Sequence, residues 1–115
     1  MEQQVPSQFT PFIKDGVHQL VIGNYAGLIA DGRAAQWPED RLREVIAEIT
    51  GLQGTLVDLP DEVFEQRIAI QRYDGSWQVD TYLWTVNGVS AWTIVLDIDN
   101  KPDDIVVHIE DIGVK

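Results

Sequence analysis

A chain that turns back on itself at Asn87-Gly88, with alternating residues on either side, has few ways to fold. Over residues 77–85 and 89–98 every second residue is apolar, threonine or serine on one face, and the remaining polar residues fall on the other. Asn-Gly between β-branched residues predicts a two-residue type I′ turn, which needs positive φ at both central positions. That turn would set Val86 opposite Val89, Trp84 opposite Ala91, Leu83 opposite Trp92 and Val79 opposite Leu96. One face then carries Trp77, Val79, Thr81, Leu83, Trp92, Ile94, Leu96 and Ile98 and reads as core. The other carries Gln78, Asp80, Tyr82, Trp84, Ala91, Thr93, Val95 and Asp97. Because side chains alternate with a period of two, a one-residue slip would expose the whole apolar set, so polarity itself tests the register.

A second reversal, Asp74-Gly75, extends the pattern. Pairing Tyr73 with Ser76 sets Arg72 opposite Trp77, Ile70 opposite Val79 and Ile68 opposite Thr81, which adds two isoleucines to the core face. A last strand over 105–112 turns Ile105, Val107 and Ile109 inward and Val106, His108 and Glu110 outward, after an acidic loop over 99–104. Ahead of the strands the periodicity is helical. Thr10-Pro11 reads as an N-cap followed by proline at the first helical position, and Ile13, Val17, Leu20 and Val21 form one stripe ending near Gly23-Asn24. A short helix is expected over 25–30, stopped by Asp31-Gly32. A third begins at Pro38, with Glu39 and Asp40 in its first turn, Leu42, Val45, Ile46 and Ile49 on its stripe, and Gly51 closing it. Residues 52–65 read as a connection and 1–8 as a polar, flexible start. The expected fold is a single α+β domain over 1–115, with N-terminal helices packed on one face of a four-stranded antiparallel meander.

Composition narrows the function classes. At 115 residues, 44% hydrophobic and 23% charged, the chain can bury a real core. Nineteen acidic against eight basic residues give a formal charge of −11, a field that repels phosphate backbones and anionic membranes and favours encounter with a basic protein. The absence of cysteine removes disulfides, thiolate nucleophiles and thiolate metal ligands. Met1-Glu2-Gln3-Gln4 lacks the charge and apolar run of a secretion signal, so a cytoplasmic location is expected. No phosphate-binding glycine loop, nucleophile elbow or zinc-protease pattern occurs. Asp97, Asp99, Asp103 and Asp104 lack the glycine and terminal glutamate of an EF-hand loop. His108 and Glu110 share a strand face, with Asp80 expected two strands away, but three such groups make neither a catalytic set nor a metal site on spacing alone. His18 reads as a surface histidine. No catalysis, metal or cofactor is expected.

What remains is a surface. The outer sheet face, as registered above, gathers Arg67, Tyr73, Asp80, Tyr82, Trp84, Asp97, His108 and Glu110, with Arg67 directly opposite Tyr82 for a cation–π contact. Asp99, Asp103 and Asp104 make an acidic rim. Aromatic side chains and arginine on an otherwise polar surface are what interface hot spots consist of, and these eleven residues are the candidate partner-binding set.

Helices followed by an antiparallel meander resemble the NTF2-like and cystatin-like α+β roll in element order, which implies ligand binding or catalysis in a cone between helices and sheet. Asp31-Gly32-Arg33, Leu59-Pro60-Asp61-Glu62 and Leu83-Trp84-Thr85 resemble segments of a small, functionally uncharacterised bacterial domain family. In size and charge the chain also resembles immunity proteins of bacterial toxin systems, which implies a basic toxin domain, possibly a nuclease, as partner. Three expectations follow: a binding protein that neutralises such a toxin, a small-ligand domain, and a homodimer built through the outer sheet face.

Overall fold

The computed structural model describes residues 2–101 and 104–114, the side chains of Asn100 and Lys101 apart. Three helices, α1 (Thr10–Val21), α2 (Tyr25–Ala30) and α3 (Glu39–Leu52), cover one face of an antiparallel sheet. Its strands are β1 (Glu2–Gln3), β2 (Leu56–Val57), β3 (Ala69–Gln71), β4 (Trp77–Thr85), β5 (Gly88–Lys101) and β6 (Asp104–Val114). They run in the order β1-β3-β4-β5-β6, with β2 also on β4. The α+β class stands, and the meander of four strands is extended by two short ones. Their places follow from hydrogen-bond demand. β3 covers only the first third of the nine-residue β4, and β2 pairs with the far end, Leu56 opposite Thr85 and Val57 opposite Trp84. At the other margin Glu2 and Gln3, in the stretch expected to be flexible, pair with Ile70 and Ala69.

The helical stripes are the expected ones. Ile13, Val17 and Leu20 of α1, with Leu42, Val45, Ile46 and Ile49 of α3, are buried against the inner sheet face, where Val79, Leu83, Ile94, Leu96 and Ile98 are at most 1% exposed. Phe9 meets Trp77 edge to face at 6.1 Å. Two helix ends differ from expectation. Thr10 is already helical and its side chain caps nothing, because a 3-10 turn over Ser7–Phe9 leads straight into α1. Gly51 is inside α3, which runs on to Leu52.

Both turns differ in type. Asn87 keeps a negative φ and only Gly88 is positive, at 103°, so Val86-Asn87 form the loop and Thr85 pairs with Gly88. The expected pairs hold from Trp77/Ile98 to Tyr82/Thr93, then shift so that Trp84 faces Val89 rather than Ala91, and neither the Val86/Val89 nor the Leu83/Trp92 pairing forms. The shift is two residues, so every side chain keeps its face. At Asp74-Gly75 the correction is one residue. Gly75 alone has positive φ, 87°, and Tyr73-Asp74-Gly75 make a three-residue loop in which Asp74 accepts from the Ser76 amide at 2.9 Å. Ala69 therefore faces Val79 and is fully buried, while Ile70 faces Gln78 on the outside at 38% exposure. The inward placement of Ile70 is overturned, while Ile68 is half-buried and still packs partly against the core. Of the expected loop over 99–104, Asp99 to Lys101 and Asp104 are strand, with Asp99 paired to Val106 and Lys101 to Asp104, while Pro102 and Asp103 lie outside the described residues. One further shift, opposite Val95/Leu96, leaves Glu110 as a bulge in β6.

The segment 31–37 straps α2 to the sheet edge. The Ile109 amide donates to Arg33 O at 2.7 Å and the Trp37 indole N–H to Ile109 O at 2.9 Å. The Arg33 guanidinium, only 21% exposed, bridges Asp15 of α1 and Asp31, both at 2.7 Å. The hydrogen bond from Arg33 holds the Asp15 carboxyl below its usual range. At Asp31 burial works the other way, but its bonds from Arg33 prevail and the pKa is again lowered. Carboxyls depressed in the folded state stabilise it above the unfolded value, about pH 3.9, and that contribution is lost as pH falls through their folded values. Both carboxylates are about half exposed, so each pair contributes under about 1 kcal/mol. Arg33→Ala is expected to cost about 1–2 kcal/mol at pH 7, including the packing of the side-chain stem, and the ion-pair part of that difference should shrink in urea unfolding as pH falls below about 4.

Candidate interaction face

The outer face is a set of cross-strand rows running from β3 and β2 across to β6, and its character changes from one end to the other. The polar end is the Ile70-Gln78-Asp97-His108 row and its neighbours. There Arg72 bonds to Asp97, to Gln78 Oε1 at 2.9 Å and to Ser76 Oγ at 3.4 Å. His108 Nδ1 lies 3.1 Å from Gly32 O and its Nε2 3.3 Å from Asp99. Glu110 accepts from Gln36 at 3.4 Å. Each of these groups is already engaged within the chain. A partner would have to break those contacts to use them.

The other end is apolar. Val57, Trp84 and Val89 stand side by side on β2, β4 and β5, and Tyr82 follows two residues along β4. Val89 is 57% and Tyr82 51% exposed; Trp84 is half-buried, with part of its ring against the core. Between the two ends, Asp80 sits opposite Val95 and is half-buried with a partner of its own. Beside it the surface dips into an open groove of about 430 Å³ that includes Glu2, Ile68, Ile70, Asp80, Tyr82 and Thr93.

The eleven residues expected at an interface are thus divided. Tyr82, Trp84 and Asp80 share the open part of the face. Arg67 precedes β3 and reaches the groove's rim instead of standing opposite Tyr82, because the β3–β4 register is one residue off the expected one. The cation–π contacts that do form are Lys14 on Phe64 at 5.7 Å and Arg43 on Tyr25 at 5.2 Å. Tyr73 is fully exposed at the tip of the β3–β4 loop, off the face. Asp97, Asp99, His108 and Glu110 belong to the occupied end, Asp104 is exposed at the start of β6, and Asp103 lies outside the described residues. Asp80 on β4 is two strands from His108 and Glu110 on β6, as expected, and it stands in a different row from His108. Among the described residues no three His, Asp or Glu side chains converge as a metal-holding group. His18, expected at the surface, is 2.8 Å from Asp58 on the helical side.

Sequence reasoning missed Ile70, Val57 and Val89. Ile70 was hidden by the slipped register. Val57 belongs to a two-residue strand with no periodicity to detect. Val89 had the right parity all along, but reading it as a turn flank took it off the face.

The chain belongs to a protein family described as Domain of unknown function (DUF7668), whose family model matches residues 17–115. No curated protein and no solved structure matches the chain. Among the described residues no helix is long and apolar enough to cross a membrane.

Proposed function

We propose that this member of the DUF7668 family is an acidic binding module whose outer sheet face docks a basic protein, in its most specific form an immunity protein that neutralises a basic toxin domain. The observation that carries the reading is the open row of Val57, Trp84 and Val89 with Tyr82 beside it, on a chain of net charge −11. That charge is net of the basic residues, most of which are engaged within the chain. Lys14, Arg33, Arg41, Arg43 and Arg72 are each paired with this chain's own carboxylates. Long-range attraction would bring a cationic partner in, and the aromatic cluster would hold it once water is expelled. Three acids lie at the margins, Glu65 before β3, Asp104 at the start of β6 and Asp111 on β6, exposed to a partner larger than the apolar row.

The test is direct titration of purified protein with each basic product of the reading frames adjoining its gene. One of them is expected to form a one-to-one complex whose association rate falls about tenfold between low and physiological salt while its dissociation rate changes little. Failure of every basic neighbour to bind, or an association rate indifferent to salt, would overturn the reading.

A further inference from the structure

We infer that the groove beside Tyr82 is a receptor for an arginine side chain of the basic partner. The inference rests on the reading above and gives it a recognition element. The groove's volume, about 430 Å³, is at the small end of the range for pockets that enclose a ligand, about 300–1,000 Å³, which suits one long side chain and not a helix or strand.

Its walls divide as an arginine does. Ile70, turned outward by the three-residue loop at Tyr73-Asp74-Gly75, and the part of Ile68 not packed on the core offer aliphatic surface to a methylene stem. Tyr82, half exposed, lines the groove with an aromatic ring, the kind of surface on which a planar guanidinium can stack. Asp80 and Glu2 supply two carboxylates, against one cation among the described residues, Arg67 at the rim. Asp80 has an interaction of its own, but a carboxylate has about four acceptor positions and can serve a second donor. Thr93, whose hydroxyl donates to Gly113 O at 3.1 Å, keeps its acceptor capacity at the groove's side. Lysine would gain from the carboxylates and from a cation–π contact, but not from planar stacking or the forked geometry.

Arg67 makes the inference sharp. Among the described residues it has no ion pair or hydrogen bond, and it is exposed. If the guest is a cation, Arg67 repels it. If the guest is a carboxylate or phosphate, Arg67 is what would hold it. Removing that charge therefore has opposite effects in the two cases.

The experiment is a two-dimensional NMR titration of the isotope-labelled chain with N-acetyl-arginine N-methylamide, alongside the norleucine and glutamate analogues. The arginine compound is expected to shift the amides of Ile68, Ile70, Gln78, Tyr82 and Thr93 and to bind about tenfold tighter than norleucine. Asp80→Asn and Glu2→Gln should each weaken it several-fold, and Arg67→Gln should tighten it roughly two- to threefold, as expected for a screened surface charge. Equal binding of norleucine, preference for the glutamate compound, weakening by Arg67→Gln, or shifts of these amides with protein concentration alone, which would mark a second copy as the occupant, would each overturn the inference. A basic protein that binds while the arginine compound does not removes the groove and leaves the docking face. The arginine compound binding while no basic protein does removes the docking reading and leaves a guanidinium site.

Discussion

Leu83→Ala is expected to lower the unfolding free energy by about 3 kcal/mol, and the midpoint of thermal unfolding by roughly 10–15 °C. Tyr82→Ala, one residue earlier on β4, is expected to cost under about 1 kcal/mol. Leu83 is fully buried between the helices and the sheet, and truncating it removes a transfer contribution and leaves a cavity that α1 and α3 cannot collapse to fill. The tyrosine ring is half in water already and loses mainly cross-strand contact with Thr93. Equal costs at the two positions, measured by urea unfolding, would mean that β4 does not divide inside from outside as described.

Tyr82→Ala combined with Trp84→Ala is expected to weaken the complex with a basic partner by about a hundredfold or more, chiefly through faster dissociation, because aromatic anchors at the centre of an interface carry a large share of its energy. Trp84 also packs partly on the core, so the double variant should lose up to about 2 kcal/mol of stability and must be measured well below its unfolding midpoint. Trp84→Phe supplies the check. It keeps most of the packing and should lose only part of the affinity. Asp97→Asn, at the occupied end of the face, should leave binding within about twofold, since its carboxylate is already engaged by Arg72. Strong loss at Asp97 with none at Tyr82 and Trp84 would move the interface to the polar end.

Alternation made the inside and outside of β4 and β5 legible before any coordinates, and it survived an error in the turn. Reading Asn87-Gly88 as type I′ misplaced Trp84 against Ala91, but the true register differs by two residues, which leaves Leu83 inside and Tyr82 outside. The same kind of error at Asp74-Gly75 was one residue and was not harmless: Ile70 came out where Ala69 belonged inside. An Asp-Gly pair fits both a two-residue loop and a three-residue loop with glycine at its end, and composition alone does not separate them. Arg72 was lost for that reason too, although its bonds to Asp97 and Gln78 are what occupy the polar end of the face. The strap over 31–37 was beyond reach for a different reason. Its docking joins Arg33 to Ile109 and Gly32 to His108 across more than seventy residues, and no local pattern marks such a pairing.

The chain has no cysteine, so a single introduced thiol reports its own surroundings without interference. The measurement that bears most directly on the account is the maleimide labelling rate of Tyr82→Cys and Leu83→Cys in the native protein. The thiol at position 82 should react within about tenfold of an unfolded control, and more slowly once a basic partner is bound; the thiol at 83 should be slower by at least about a hundredfold, reacting only through opening of the fold. Comparable rates at the two positions, or a partner that protects neither, would contradict it.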